Sequence, residues 1–280
     1  MMPGIEYATK IHLVGFLLLL LQEENNMPAL DQSSLPLFER VALVTGAAER
    51  VGREIAFSLA EQGCDIIIHY NHSADEAEEL ANELRTLGRQ AWTLQGDFSS
   101  PDDAEVVLRS AWELAGWVDI VVNNAAIFER IPFPEATLDD YQRSLNINTL
   151  APIVMAKTLH ELVNSSEILP ADYSGKIINI TDQRVHKPAK GCLPYWLSKK
   201  ALEDFTLCAA LELAPQISIN AIAPGPVLVP KDAMHSEPAG ELPTVTRCLP
   251  SDIAKAVIYL ATSLTITGQV LYVDSGQHLL

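Results

Sequence analysis

From about residue 40 onward, two kinds of pattern alternate along the chain. Seven short runs are apolar at nearly every position: "RVALVT" (40–45), "CDIIIHY" (64–70), "QAWTLQ" (90–95), "VDIVVNN" (118–124), "GKIINIT" (175–181), "ISINAIAP" (217–224) and "QVLYVD" (269–274). Runs of this length and composition read as buried β-strands. Longer segments with apolar residues at helical spacing lie between them. One closes at Gly63, and one spans "SADEAEELANELRTLG" with Ser73 as N-cap and Gly88 as stop. Others start near Ser100 with a Ser-Pro cap and first turn, run from Leu138 to Val163, carry Tyr195 and Lys199, and extend from Ser251 to Thr262. Strands apolar on both faces need helices on both sides. The alternation therefore predicts an α/β fold, a doubly wound parallel sheet of Rossmann type in a single domain.

That domain is expected over 39–280, after an N-terminal extension over 1–38. The Pro-containing stretch at about 227–250 should form the substrate loop, because it follows a Pro-Gly turn and precedes the last helix. Ahead of the first strand, "IHLVGFLLLLLQ" is too short to span a bilayer, which takes about 20 residues. Met27 offers a second start, so the stretch reads as a dispensable or mis-started extension; a signal-peptide core, an anchor or a surface helix are the alternatives.

Composition narrows the function. A hydrophobic fraction of 48% over 280 residues supplies a core and excludes a disordered chain. Net charge of −17 argues against a nucleic-acid partner, since phosphate backbones need a basic face, but leaves room for one small phosphorylated ligand. Cys64, Cys192, Cys208 and Cys248 show no CxxC spacing and no accompanying His cluster. Neither a disulfide framework nor a metal site is expected, and reduced thiols point to the cytoplasm. Cys64 and Cys208 should fill core space.

"TGAAERVG", Thr45 to Gly52, joins the first strand to the first helix. Small residues there let the backbone approach a pyrophosphate, and the helix N-terminus adds free N–H groups and partial positive charge. Thr45, Gly46, Arg50, Val51 and Gly52 are thus candidates for holding a dinucleotide. The second strand ends in "HYNHS", without the acid that binds unphosphorylated ribose hydroxyls. Arg50, His72 and Ser73 can meet a 2′-phosphate instead, which favours NADPH; the alternative makes Arg50 and His72 ordinary solvated residues.

"YWLSK" sets Tyr195 and Lys199 on one helix face. A free Tyr, with a pKa of about 10, shuttles protons poorly at neutral pH, and a neighbouring ammonium would bring it down. Asp182, thirteen residues before Tyr195, is the unexpected member. An ionised carboxylate has no proton for a ketone oxygen and repels an alkoxide. It suits reduction of a C=N bond, where the nitrogen must gain a proton, or recognition of ring N–H groups.

"TGAAERVG", "NNAA" (123–126), Asn148 in "NINTLAP", "YWLSK" and "PGPV" (224–227) fall in the order and spacing of the short-chain dehydrogenases/reductases. Over about residues 40–280 the chain resembles that family. The resemblance implies that Lys199 also holds the nicotinamide ribose and that Asn148 anchors a water relay in a kinked helix. It also places Asp97 at the adenine, and Phe98, Asn124, Ala125, Pro224 and Gly225 along the cofactor. A homo-tetramer built on the long helices after strands four and five is implied as well. Most of the family has Ser where Asp182 stands. The Asp182, Tyr195 and Lys199 set resembles the pteridine reductase branch, in which Arg50 would touch both cofactor phosphate and pterin and Phe128 would stack on the pterin ring. Asn148, Asp182, Tyr195 and Lys199 are then the catalytic set, and Arg50, Phe128, Asp182 and Tyr195 the substrate set. The implied reaction is NADPH-dependent reduction of a dihydropterin or dihydrofolate. The chain departs from that branch at His72, where Arg is usual, and carries Ser275 where Gly is commoner. Other readings stay open here. Thr181 could supply the hydroxyl of a 3-oxoacyl or other carbonyl reductase, or the chain could bind NADP without catalysis. Phe128 could pack on the core, and Trp196 could line the pocket or belong to core or interface.

Overall fold

The apolar runs become strands β1 (Val41–Val44), β2 (Asp65–Tyr70), β3 (Ala91–Gln95), β4 (Ile120–Asn123), β5 (Gly175–Ile180), β6 (Ile217–Pro224) and β7 (Val270–Val273) in the computed structural model. The structure describes residues 32–187, 189–227 and 241–280, of which Pro36–Leu280 form one compact unit. The apolar stretch before Met27 and positions 228–240 of the expected substrate loop lie outside the described residues.

The strands pair in the order β3-β2-β1-β4-β5-β6-β7, and every pairing is parallel. Helices α1 (Arg50–Glu61), α2 (Ala74–Thr86), α3 (Asp102–Ala115), α4 (Leu138–Leu145), α5 (Ala151–Ser165), α6 (Leu193–Leu213) and α7 (Pro250–Thr262) flank it. Successive strand residues face opposite layers. Ala42, Val44, Ile66 and Ile68 pack with α1, α2 and α7 side chains such as Ile55, Leu80 and Val257. Val41, Leu43 and Ile67 pack with Leu108, Met155 and Leu159 of α3 and α5. Two cores on one sheet explain why the strands carry almost no polar positions. Truncating a side chain such as Leu43 or Ile67, both fully buried, to Ala would cost about 2–5 kcal/mol.

The order reverses between β1 and β4, and ligands bind such sheets beyond the strand C-termini at that point. A buried polar ladder fixes α6 relative to the sheet. Asn123 Nδ2 donates to Asn179 Oδ1 at 2.7 Å, Asn179 Nδ2 donates to Thr206 Oγ1 at 2.9 Å, and Thr206 donates to the Leu202 carbonyl at 2.8 Å. Each donor finds an acceptor, so the ladder stiffens the junction without an unsatisfied group.

Four local expectations change. The segment 138–163 is not one helix, because a π-helical stretch, Asn146–Leu150, separates α4 from α5. Ser73 stands at the N-cap of α2, yet its hydroxyl turns to Glu49 Oε2 at 3.5 Å rather than to the helix. Helix α3 begins at Asp102, with Pro101 rather than a serine at its cap. Cys64 is buried as expected, but Cys208 lies on the exposed side of α6.

Candidate active site

The turn after β1 is held from below by the side chains of Thr45 and Asn124. Thr45 Oγ1 accepts from the Asn124 and Ala125 N–H groups, both at 3.0 Å, and joins the end of β1 to the end of β4. Asn124 Nδ2 donates back to the carbonyls of Thr45 (2.9 Å) and Gly46 (3.1 Å). Gly46 sits at φ +62°, and a Cβ on Gly52 would come within 2.2 Å of the Gly46 oxygen. Only glycine fits there, and the bare backbone leaves room for a pyrophosphate.

His69, on β2, was not among the expected site residues. It is buried at 2% exposure, accepts from the Gly46 N–H at Nδ1 (3.1 Å), and lies 3.2 Å from the Gly96 carbonyl at Nε2. Its ring stacks on Phe98 with centroids 4.2 Å apart. Burial lowers its pKa to about 4, against the opposing hydrogen bond to Gly96. The ring is therefore neutral, with Nε2 carrying the proton. A polar residue inside the run "DIIIHY" was the available signal.

A cleft of about 510 Å³ extends from this turn to Tyr195. Arg50, Val51, Asp97, Phe98, Asn124 and Ala125 line it. Asp97 accepts from the Ser99 N–H (3.0 Å) and Asn71 Nδ2 (3.3 Å), and the Ser99 N–H bond chiefly lowers its pKa. His72 is exposed at the same corner. Pro224 ends β6, and Gly225 follows because a Cβ there would meet Asp274 Cα at 2.8 Å. Ser275, at φ +61°, occupies a left-handed position that glycine would take without strain.

At the other end, the Tyr195 hydroxyl donates to Asp182 Oδ2 at 2.7 Å. Asp182 Oδ1 accepts from the Arg184 N–H at 2.7 Å and so caps the short 3₁₀ turn Gln183–His186. Burial, then the charge and hydrogen bond of Asp182, push the Tyr195 phenol well above its ordinary range; Arg184 acts in the opposite sense. Lys199 is buried and donates from Nζ to the Ile180 carbonyl at 2.6 Å. Burial lowers it to about 8, opposed by Asp182. The expectation that Lys199 depresses Tyr195 is thus reversed in the protein alone. Burial, reinforced by Asp182, keeps the phenol protonated.

Asn148 lies in the π-helical stretch and is fully buried. Its side chain accepts from the Ile127 N–H (2.9 Å) and donates to the Ile127 carbonyl (3.0 Å) and Ser198 Oγ (2.9 Å). It fastens the loop after β4 to the helix bearing Tyr195. Thr181 does not offer its hydroxyl to the cleft: Oγ1 donates to the Ile222 carbonyl at 3.0 Å, against β6. Phe128 is half-buried at the site rather than in the core, edge-on to Tyr195 with centroids 4.7 Å apart. Trp196 Nε1 donates to the Arg184 carbonyl at 2.9 Å and ties down the turn after Asp182. Arg184 itself escaped the sequence reading, although its position two residues past Asp182 was a signal.

The short chain dehydrogenase family model matches residues 40–239. The chain belongs to that family. As an oxidoreductase of this family it resembles several proteins of differing chemistry. FolM alternative dihydrofolate reductase 1 from Brucella canis, solved in complex with NADP, is 32% identical at a TM-score of 0.79, covering 88% of this chain and 97% of that one. Hydroxynaphthalene reductase arp2 from Aspergillus fumigatus is 31% identical over 250 residues, 81% of this chain and 88% of the relative. A 3-oxoacyl-[acyl-carrier-protein] reductase from Synechocystis sp. is 28% identical, covering 86% and 97%.

Proposed function

We propose that the protein is an NADPH-dependent reductase of a C=N bond in a pterin-type ring, acting on a dihydropterin or dihydrofolate. The observation that carries this reading is the 2.7 Å hydrogen bond from Tyr195 to Asp182. A ketone reductase benefits from a second hydroxyl at the carbonyl oxygen; here a carboxylate takes that place and Thr181 faces the sheet. The family relative solved with NADP and named for dihydrofolate reduction supports the same reading.

The cleft fits the cofactor: glycines crowd the turn where a pyrophosphate would lie, and β2 ends without an acid. Gly46, Arg50 and Gly52 would hold the phosphates, His72 and Ser73 would face the 2′-phosphate, and Asp97 the adenine. Asn124, Ala125, Pro224 and Gly225 would line the path toward Lys199. NADPH supplies the hydride. Tyr195, kept protonated by burial and by Asp182, is the acid for the substrate nitrogen. Asp182 then stabilises the proton returning to Tyr195 and can accept from ring N–H groups, while Phe128 offers an aromatic platform. Asn148 holds the loop carrying Phe128 against α6.

Purified protein would be assayed for NADPH oxidation with dihydrofolate, dihydrobiopterin and a 3-oxoacyl thioester, beside Asp182→Ser and Thr181→Val. Pterin turnover that Asp182→Ser loses and Thr181→Val retains is the expected result. Turnover of the thioester alone, kept in Asp182→Ser and lost in Thr181→Val, would make the protein a carbonyl reductase.

A cytoplasmic homo-tetramer is part of this proposal. Leu211, 85% exposed on α6 with Leu207 and Cys208 nearby in sequence, supports a covered helix face. No helix among the described residues is long and apolar enough to cross a membrane. Light scattering on the eluted protein gives the assembly directly, and a monomer would remove that part.

A further inference from the structure

Glu203 follows Tyr195 and Lys199 at four-residue spacing along one stripe of α6, about 12 Å beyond Tyr195. It is 2% exposed. Its Oε1 accepts from Lys200 Nζ and meets His186 Nε2, both at 2.9 Å. Its Oε2 is buried with no hydrogen-bond partner among the described residues. A buried carboxylate with one oxygen unanswered destabilises a fold, and an apolar side chain of similar volume would pack there more favourably. Groups that oppose folding in this way concentrate at functional sites.

What Glu203 reaches is the turn that Asp182 begins. His186 is the last residue of the 3₁₀ turn Gln183–His186, and Asp182 is its cap. The His186–Glu203 bond therefore joins the segment bearing Asp182 to the helix bearing Tyr195. Trp196 Nε1 ties the middle of the same turn to α6 at the Arg184 carbonyl. Behind the turn, the His186 ring meets Tyr272 edge-on with centroids 5.6 Å apart, and Gln183 Nε2 donates to Gln277 Oε1 at 3.1 Å. The Tyr195–Asp182 hydrogen bond spans the same two elements, and such a bond weakens steeply as its geometry departs from the optimum. We propose that Glu203 and His186 are positioning residues that hold Asp182 at hydrogen-bonding distance from Tyr195 and thereby set the rate of proton transfer. They act through Asp182 rather than on the substrate. The proposal rests on the reading of Tyr195 and Asp182 as the proton pair, not on which ring the pair serves.

Kinetics, unfolding and titration of the full-length protein test it with Glu203→Met, His186→Ala and His186→Gln. Glutamine keeps an N–H donor near the place of Nε2, and alanine does not. Glu203→Met removes the buried charge, leaving the exposed His186 to solvent and Lys200 to Asp204 at 3.3 Å. It should therefore unfold at the same urea concentration as wild type or a higher one. Both Glu203→Met and His186→Ala should nonetheless lower kcat for dihydrobiopterin by about ten- to a hundredfold, the scale of a misplacement of about 1 Å, with KM for NADPH unchanged. His186→Gln should recover most of that rate. Tyrosinate absorbance, read against Tyr195→Phe, needs no turnover. With Asp182 released from its place, Tyr195 in His186→Ala should ionise at lower pH than in wild type. That shift supports the positioning role even if no pterin is reduced, an outcome that sinks only the proposed substrate. An unshifted Tyr195 overturns the positioning role, and pterin turnover at an unchanged kcat in both variants overturns it while leaving the proposed reaction standing. A kcat loss in Glu203→Met that comes with easier unfolding would make Glu203 a structural residue and overturn it too.

Discussion

The phenol of Tyr195 donates to the carboxylate of Asp182 at 2.7 Å. A negative charge this close to a buried hydroxyl stabilises the O–H form, and the phenol is pushed well above its ordinary range by burial first and by Asp182 next. The phenol therefore holds its proton in the ligand-free protein.

Asp182→Asn tests that relationship. The amide keeps the shape and removes the charge, so Tyr195 should ionise at lower pH than in wild type, as read by tyrosinate absorbance in a background titration. Pterin turnover should fall by about 10²–10⁴, the usual contribution of positioned proton transfer. A Tyr195 that titrates at the same pH in both proteins would mean that burial alone sets its state.

Lys199 gives the site a pH dependence of its own. Burial disfavours its charge, so the ammonium present below about pH 8 is lost above it, whereas a free lysine keeps its proton to 10.5. NADPH affinity of the ligand-free enzyme should weaken as pH rises through about 8, and Lys199→Met should be weak and flat across the same range. Stability moves the opposite way. The unfolded chain holds that proton between pH 8 and 10.5 while the folded one does not, so this group favours folding increasingly as pH rises through that window. Wild-type affinity that stays constant to pH 10 would show that the ammonium survives burial.

His69 makes the phosphate turn acid-sensitive. Its folded pKa is about 4 against 6.5 for the free side chain, so the unfolded chain takes up a proton first as pH falls. The stability present above pH 6.5 should decline toward pH 4 by on the order of 3 kcal/mol from this group. Urea unfolding at pH 7 and pH 5 should show the loss in wild type and a shallower one in His69→Gln. Equal pH slopes in the two proteins would assign the acid sensitivity to other groups.

Much of this was legible because strands of a parallel sheet covered on both faces are apolar at most positions and alternate with longer segments of helical period. β6 falls on the residues that the sequence pattern assigns, Ile217–Pro224. The register at the end of β5 was not legible. Thr181 and Asp182 are adjacent, and only the hydrogen bonding of Thr181 to Ile222 decides that the threonine faces β6 and the aspartate faces Tyr195. The π-helical stretch hid inside 138–163 because one extra residue per turn barely disturbs a helical pattern. Cys208 was misplaced because α6 is apolar almost all round, with Leu207 and Leu211 exposed, so its sequence does not mark a buried face. His69 acts through Gly46, twenty-three residues away, a contact that local pattern cannot reveal.

Arg50 combines strain with proposed function at one position. It opens α1 at φ +57°, in the left-handed region that costs a residue with a Cβ about 1–2 kcal/mol. Glycine would adopt that conformation freely, so Arg50→Gly should raise the midpoint of thermal unfolding even though it deletes a long side chain. If the guanidinium meets phosphate, the same change should raise KM for NADPH by about tenfold or more, as loss of a charge-assisted contact does, and raise KM for the pterin as well. Stability and binding would then move in opposite directions at a single site, the pattern expected where strain is retained for function. A lower unfolding midpoint in Arg50→Gly would refute the strain argument. An unchanged KM for NADPH would remove Arg50 from the cofactor set, and an unchanged KM for the pterin would remove it from the substrate set.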